Sequence, residues 1–223
     1  MSIRRRRPRA ERCMRPMAWR LGALLGVAAA ATLSATLIML SASGSVPTPI
    51  HHRDGLGPLG STRDPGSTIT FGFDPAVGGP TWTVGIRLCV AQGDQSVVIS
   101  GPIKPSQVIG VGFRYLGAFA RVFTRATGAT PIYSAGGFPP TVSERLQATR
   151  DFTVGFLCPA TSDDDASAPY VELLLGIGND PAIEGGGGWQ GIEIAYSVGK
   201  TRYVVSLGYD IFICAGAVRS EYC

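Results

Sequence analysis

Across residues 67–223 apolar and polar side chains alternate in short runs. The stretch TWTVGIRLCV, residues 81–90, puts Trp82, Val84, Ile86, Leu88 and Val90 on one side. That is the period-two pattern of a strand with one buried face. STITFGF does the same with Ile69, Phe71 and Phe73, and TRDFTVGFLC with Phe152, Val154, Phe156 and Cys158. QSVVISGP, SQVIGVGFRYLGAFARVF, YVELLLGIG, GIEIAYSVG and TRYVVSLGYDIFIC continue in β-branched and aromatic residues. The last two are joined by VGK, a compact glycine-containing connection that reads as a hairpin. TVSERLQATR, residues 141–150, is the one weak helical pattern.

About eight short strands with turn residues between them predict an all-β, antiparallel β-sandwich of broadly immunoglobulin-like kind. The defining immunoglobulin set is incomplete, because Trp82 precedes Cys89 instead of lying between two paired cysteines. Residues 67–223 suffice for one such domain with a substantial core.

A different pattern occupies the N-terminus. LGALLGVAAAATLSATLIML, residues 21–40, contains no charged residue, proline or histidine. At about 1.5 Å per residue a helix of this length spans roughly 30 Å, the hydrocarbon thickness of a bilayer. Eight arginines and one acid precede it, giving +7, and no basic residue follows until Arg53. This asymmetry places the N-terminus in the cytoplasm and exports the remainder. The expected organisation is therefore a basic cytoplasmic tail over 1–20, a signal-anchor helix over 21–41, a Pro/Gly-rich linker over 42–66 and an extracytoplasmic sandwich over 67–223. The competing reading is a cleaved signal peptide with a site near SAS, residues 41–43, which yields a secreted protein. The length of the apolar run favours the anchor.

Charge supports this division. The chain carries 20 basic and 16 acidic residues, net +4, but the part after residue 40 has twelve basic and fifteen acidic residues, net −3. The basic excess flanks the apolar run, so it orients a membrane span and gives no nucleic-acid-binding surface. Two lysines, one asparagine and abundant Arg, Ala and Gly match the codon usage of a high-GC bacterium. The partners expected are the lipid bilayer through residues 21–40 and an envelope protein or cell-wall polymer.

Cys13 falls on the cytoplasmic side as a free thiol. Cys89, Cys158, Cys214 and Cys223 fall in the exported part. An even number in an oxidising compartment predicts two disulfides. Cys89–Cys158 and Cys214–Cys223 are the preferred pairs, because three of the four close a strand and the last lies on the tail. The C-x-x-C spacing of structural zinc is missing.

No catalytic, cofactor or metal residues are assigned. His51 and His52, the only histidines, lie in the expected linker, which removes the base of a conventional triad. Ser197 in AYSVG precedes a hairpin, not the helix that a nucleophile elbow needs. Asp163, Asp164 and Asp165 lack the calcium-loop pattern. GIGNDP and EGGGGWQG lack the helix or the Lys-Ser/Thr ending of a phosphate loop. A carboxylate-dependent hydrolase drawing on Glu172, Glu184 or Glu193 remains the enzymatic alternative. Two loops carry apolar side chains suited to a partner. TRATGATPIYSAGGFPPT offers Ile132, Tyr133 and Phe138, and IEGGGGWQG offers Trp189. The expectation is a non-enzymatic binding or scaffolding protein.

Overall fold

The computed structural model describes residues 47–214 apart from 64–65, 75–78, 94, 125–129, 143–144, 160–168 and 180–185. The apolar run, its arginine flank, Cys13, Asp163 to Asp165, Glu184 and Cys223 lie outside the described residues.

The described residues form two sheets of strands and no helix. The first centres on β11 (Gly187–Val198). One side of β11 pairs with β5 (Val97–Gly110), and the short β9 (Thr153–Val154) adds to β5. The other side takes β12 (Thr201–Leu207) and β13 (Tyr209–Ile213), which run end to end around Gly208. β1 (Ile50–Arg53) and β3 (Ile69–Phe73) close this edge as parallel partners of β12 and β13. The second sheet centres on β10 (Tyr170–Asn179), between β4 (Thr81–Val90) and β6 (Phe113–Phe123). β2 (Leu59–Ser61) and β7 (Ser134–Gly136) pair with opposite ends of β4, and β8 (Gln147–Ala148) pairs with β6. Apart from β1 and β3, the strand pairs are antiparallel.

The alternation read from the sequence is what packs the two sheets together. Trp82, Val84, Ile86, Leu88 and Val90 all enter the shared core, opposite Trp189, Ile192, Ile194 and Tyr196 of β11. Strand β10 departs from the one-wet-face pattern, since it is buried on both faces from Tyr170 to Gly178. Its core side holds Val171, Leu173, Leu175 and Ile177, and something else must cover Glu172 and Leu174. The VGK connection is a hairpin as expected: Val198 pairs with Thr201, and Gly199 takes a positive φ of 56° at the turn.

Three sequence expectations are corrected. The stretch expected as linker over 42–66 contains β1 and β2, which belong to the two sheets. Its Pro/Gly richness concealed two strands too short to show periodicity. The weak helical pattern over 141–150 contains β8 instead, at Gln147–Ala148. In EGGGGWQG, expected as a loop, Gly187, Gly188 and Trp189 stand in β11 between β5 and β13. Paired on both sides, these residues form the middle of a sheet and not a loop.

The Cys89–Cys158 disulfide is formed as expected, across 69 residues of chain. It joins the end of β4 to the segment after β9. Val90 N–H donates to Phe156 O at 2.7 Å, and Cys158 N–H to Val90 O at 2.9 Å. Cys214 is disulfide-bonded as well.

Candidate functional site

The cover of β10 is the segment 130–140, and two buried charges hold it. Period-two alternation turns Glu172 away from the core, onto the outer face of the second sheet. The register sets it opposite Arg121 on β6 and Arg87 on β4. Arg121 Nε and Nη2 lie 2.7 and 2.6 Å from Glu172 Oε2, with both side chains 1% exposed. Each side chain also bonds the covering segment. Glu172 Oε1 accepts the Ile132 N–H at 2.7 Å, and Arg121 Nη2 donates to Thr130 O at 2.8 Å. Burial pushes the Glu172 carboxyl above its usual range, while Arg121, the Ile132 N–H and Arg87 pull it back down.

Further contacts continue along the segment. Gly85 N–H donates to Tyr133 O at 3.3 Å, Gly137 N–H to Thr81 O at 2.8 Å, and Thr83 Oγ1 to Gly137 O at 2.5 Å. These bonds and the β4–β7 ladder satisfy backbone groups that a loop over apolar surface would otherwise bury unpaired. Two glycines make the fit possible. A Cβ at Gly85 would overlap the Ile132 carbonyl, and one at Gly176 would overlap the Phe138 ring. Phe138 fills that space and packs against Phe119 at 5.6 Å between ring centres.

Of the three side chains expected to face a partner from this loop, Ile132 and Phe138 are half-buried and anchor it. Tyr133 stands out at 59% exposure. Its hydroxyl accepts a hydrogen bond from Arg87 Nη2. The Arg87 guanidinium sits 5.1 Å from the Tyr133 ring centre and 4.8 Å from that of Tyr170. Stacking between two rings fixes the guanidinium in place.

Trp189 is corrected. Expected on a loop, it is fully buried in β11, against Phe113 and Tyr115 at 5.7 and 5.9 Å. Among the described residues its Nε1 has no hydrogen-bond partner. A single aromatic after four glycines gave no hint that the run entered a sheet.

The histidines also leave the linker. His52 stands on β1, half-buried, with Nε2 2.5 Å from Tyr196 Oη and Nδ1 2.8 Å from Arg53 O. His51, next to it, is exposed. Nearby, the buried Asp54 accepts Ser61 N–H at 2.9 Å and the Ser61 hydroxyl at 2.5 Å. Burial raises the phenols of Tyr115 and Tyr196 to about 12. The Tyr209 phenol is raised too, chiefly by burial.

Glu172 and Glu193 lie on opposite outer faces of the sandwich, because each alternates with core residues of its own sheet. Glu193 pairs with Lys104 at 3.1 Å on the exposed side. Ser197 pairs with Arg202 beside the hairpin. Among the described residues, no group of three or more His, Cys, Asp or Glu side chains gathers as a metal site.

Sequence reasoning missed Arg87, Arg121 and Thr130. The available signal was a charge inside an apolar strand run, Arg121 in LGAFARVF and Glu172 in YVELLLGIG. A charge in such a run needs a buried partner. The sequence names neither the partner nor the loop that both hold. Comparison of the chain with protein-family models, characterised proteins and solved structures finds no match.

Proposed function

We propose that this chain is a bacterial single-pass membrane protein whose immunoglobulin-like, disulfide-stabilised domain lies outside the cytoplasm. There it binds or scaffolds an envelope partner without catalysis. The observation that carries the binding reading is the Arg121–Glu172 pair gripping Thr130 and Ile132. Burying two charges costs several kcal/mol per ion, and an apolar pair of similar volume generally stabilises a core as well or better. What the charges add is position, because each spends a hydrogen bond on the covering segment's backbone. A loop fixed on a rigid sandwich, with an exposed tyrosine braced by a stacked arginine, is the arrangement of a recognition surface.

The Cys89–Cys158 disulfide supports an oxidising compartment. The apolar run and its arginine flank support the membrane anchor, with the N-terminus cytoplasmic. No described helix is long and apolar enough to cross a membrane, and the anchor reading rests on residues 21–40. Tethering raises the concentration of the domain near other envelope components.

The test places a photo-crosslinking amino acid at position 133, and separately at position 200 on the β11–β12 turn, in cells making the full chain. The reading expects a discrete envelope adduct from position 133 that position 200 does not give. No adduct at 133, or the same adducts from both positions, would overturn it.

A further inference from the structure

We propose that the outer face of the first sheet lies on the anionic headgroups of the bilayer that anchors the chain. This rests on the membrane-anchored reading above and adds the surface by which the domain meets lipid. Alternation fixes which side chains share the face. Ile103, Ile192, Ile194, Tyr203 and Val205 point to the core, so Lys104, Glu193, Arg202, Val204 and Ser206 turn outward. Parallel pairing carries the same parity to β1, whose His51 and Arg53 stand beside Val204 and Ser206.

Register then gathers the charges. Arg53, Ser206, Glu193 and Lys104 form one row across β1, β12, β11 and β5. At about 4.8 Å between strands, Arg53 and Lys104 stand roughly 14 Å apart. Arg202 is about 13 Å back along β12 from Ser206, next to Lys200 in the hairpin turn. All four cations are exposed. Between them lie Ala195, Ser197, Val204 and Ser206, too small to screen the cations from an approaching surface.

The facing acids leave a positive excess. Glu193, 24% exposed, pairs with Lys104 at 3.1 Å. Four cations against this carboxylate give +3, on a part of the chain whose net charge is −3. Arg150 and Asp151, exposed beside β9, offset each other. Asp210 lies further along the face on β13 and accepts the Gly191 N–H at 2.9 Å. Asp54, which follows Arg53, is buried and committed to Ser61.

What the cations meet is set by where the strand begins. Only residues 41–49 separate the apolar run from β1, and β1 is itself part of this face. Extended chain covers at most about 3.5 Å per residue, so β1 starts within roughly 30 Å of the bilayer. The tether keeps the domain at high effective concentration beside that surface. Clustered Lys and Arg next to a membrane span are drawn to anionic lipid within a Debye length. Among the described residues, no large exposed apolar side chain has outward parity on these four strands, so the contact is electrostatic and not an insertion.

The experiment reconstitutes the full chain in vesicles, with a fluorescent amino acid at position 197 on this face or at position 133 on the opposite one. An acceptor dye sits on the lipid headgroups. When about one third of neutral phosphatidylcholine is replaced by phosphatidylglycerol, energy transfer from position 197 should rise. Transfer from position 133 should not, and high salt should reverse the rise. Arg53→Ser, Lys200→Ser and Arg202→Ser, all exposed, should each lower the ratio of surface-bound to free domain about fivefold. Together they should abolish the rise. Equal transfer from position 197 in both lipids would overturn the proposal. So would an equal rise at both positions, a rise that survives the triple variant, or retention on an anionic wall polymer with no response to lipid. Carbonate extraction of the same vesicles reads the anchor separately. A retained chain without a lipid response defeats this inference alone, whereas a released chain defeats the anchor reading and this inference with it.

Discussion

At the scale of single residues, the informative departures are polar groups the core has taken in. Glu172→Gln removes the charge that compensates Arg121 in a site 1% exposed. A stability loss of about 3 kcal/mol or more is expected in urea denaturation, because a buried charge is left unpaired. The double replacement Arg121→Met with Glu172→Leu should recover most of that loss and still release the covering segment. Rapid proteolysis within residues 130–140 of an otherwise stable double variant would be the sign of it. Unchanged resistance there would show that the pair does not position the segment.

The buried phenols yield a second residue-scale prediction. Tyr115 and Tyr196 are raised to about 12 against an ordinary value near 10. The folded chain keeps these protons while the unfolded chain releases them. Their contribution to stability is thus fully present below about pH 10 and is lost as pH rises toward 12. The urea midpoint should fall over that interval, and Tyr196→Phe should make the fall shallower. Absorbance at the phenolate band should show a late-titrating fraction of the chain's seven tyrosines.

Among elements, β4 organises the second sheet. Its core side was legible in the sequence residue by residue, since an isolated strand with one buried face must alternate. Its outer side was not, because Thr83, Gly85 and Arg87 look like a wetted face until segment 130–140 is laid over them. The Cys89–Cys158 bond ties the end of this strand to a segment 69 residues away. By loop entropy its removal should cost about 4 kcal/mol. Cys89→Ala with Cys158→Ala should therefore lower the thermal midpoint by several degrees, read by calorimetry. A change within error would mean that the unfolded chain is already compact around this loop.

For the whole molecule, the prediction concerns where the chain resides. If residues 21–40 anchor it, the protein recovered from cells has its full-length mass and sediments with membranes. Carbonate washing should not release it. A form beginning near residue 44 in the medium would show a cleaved signal and move the partner search from the envelope to soluble targets.

The sequence by itself determined the class of fold, the core positions of β3 and β4 and the hairpin at Gly199, and it favoured the Cys89–Cys158 pairing that the structure forms. Each depends on local alternation, on turn chemistry, or on cysteines placed at strand ends. Only the tertiary structure decided that His52 meets Tyr196 across 144 residues. The same is true of Trp189 turning into the core and of Arg121 and Glu172 meeting on neighbouring strands. It also decided that Tyr133, and not Ile132 or Phe138, remains outside. Those outcomes depend on which strands become neighbours and in what register, and pairing between distant segments leaves no periodic trace in either partner alone.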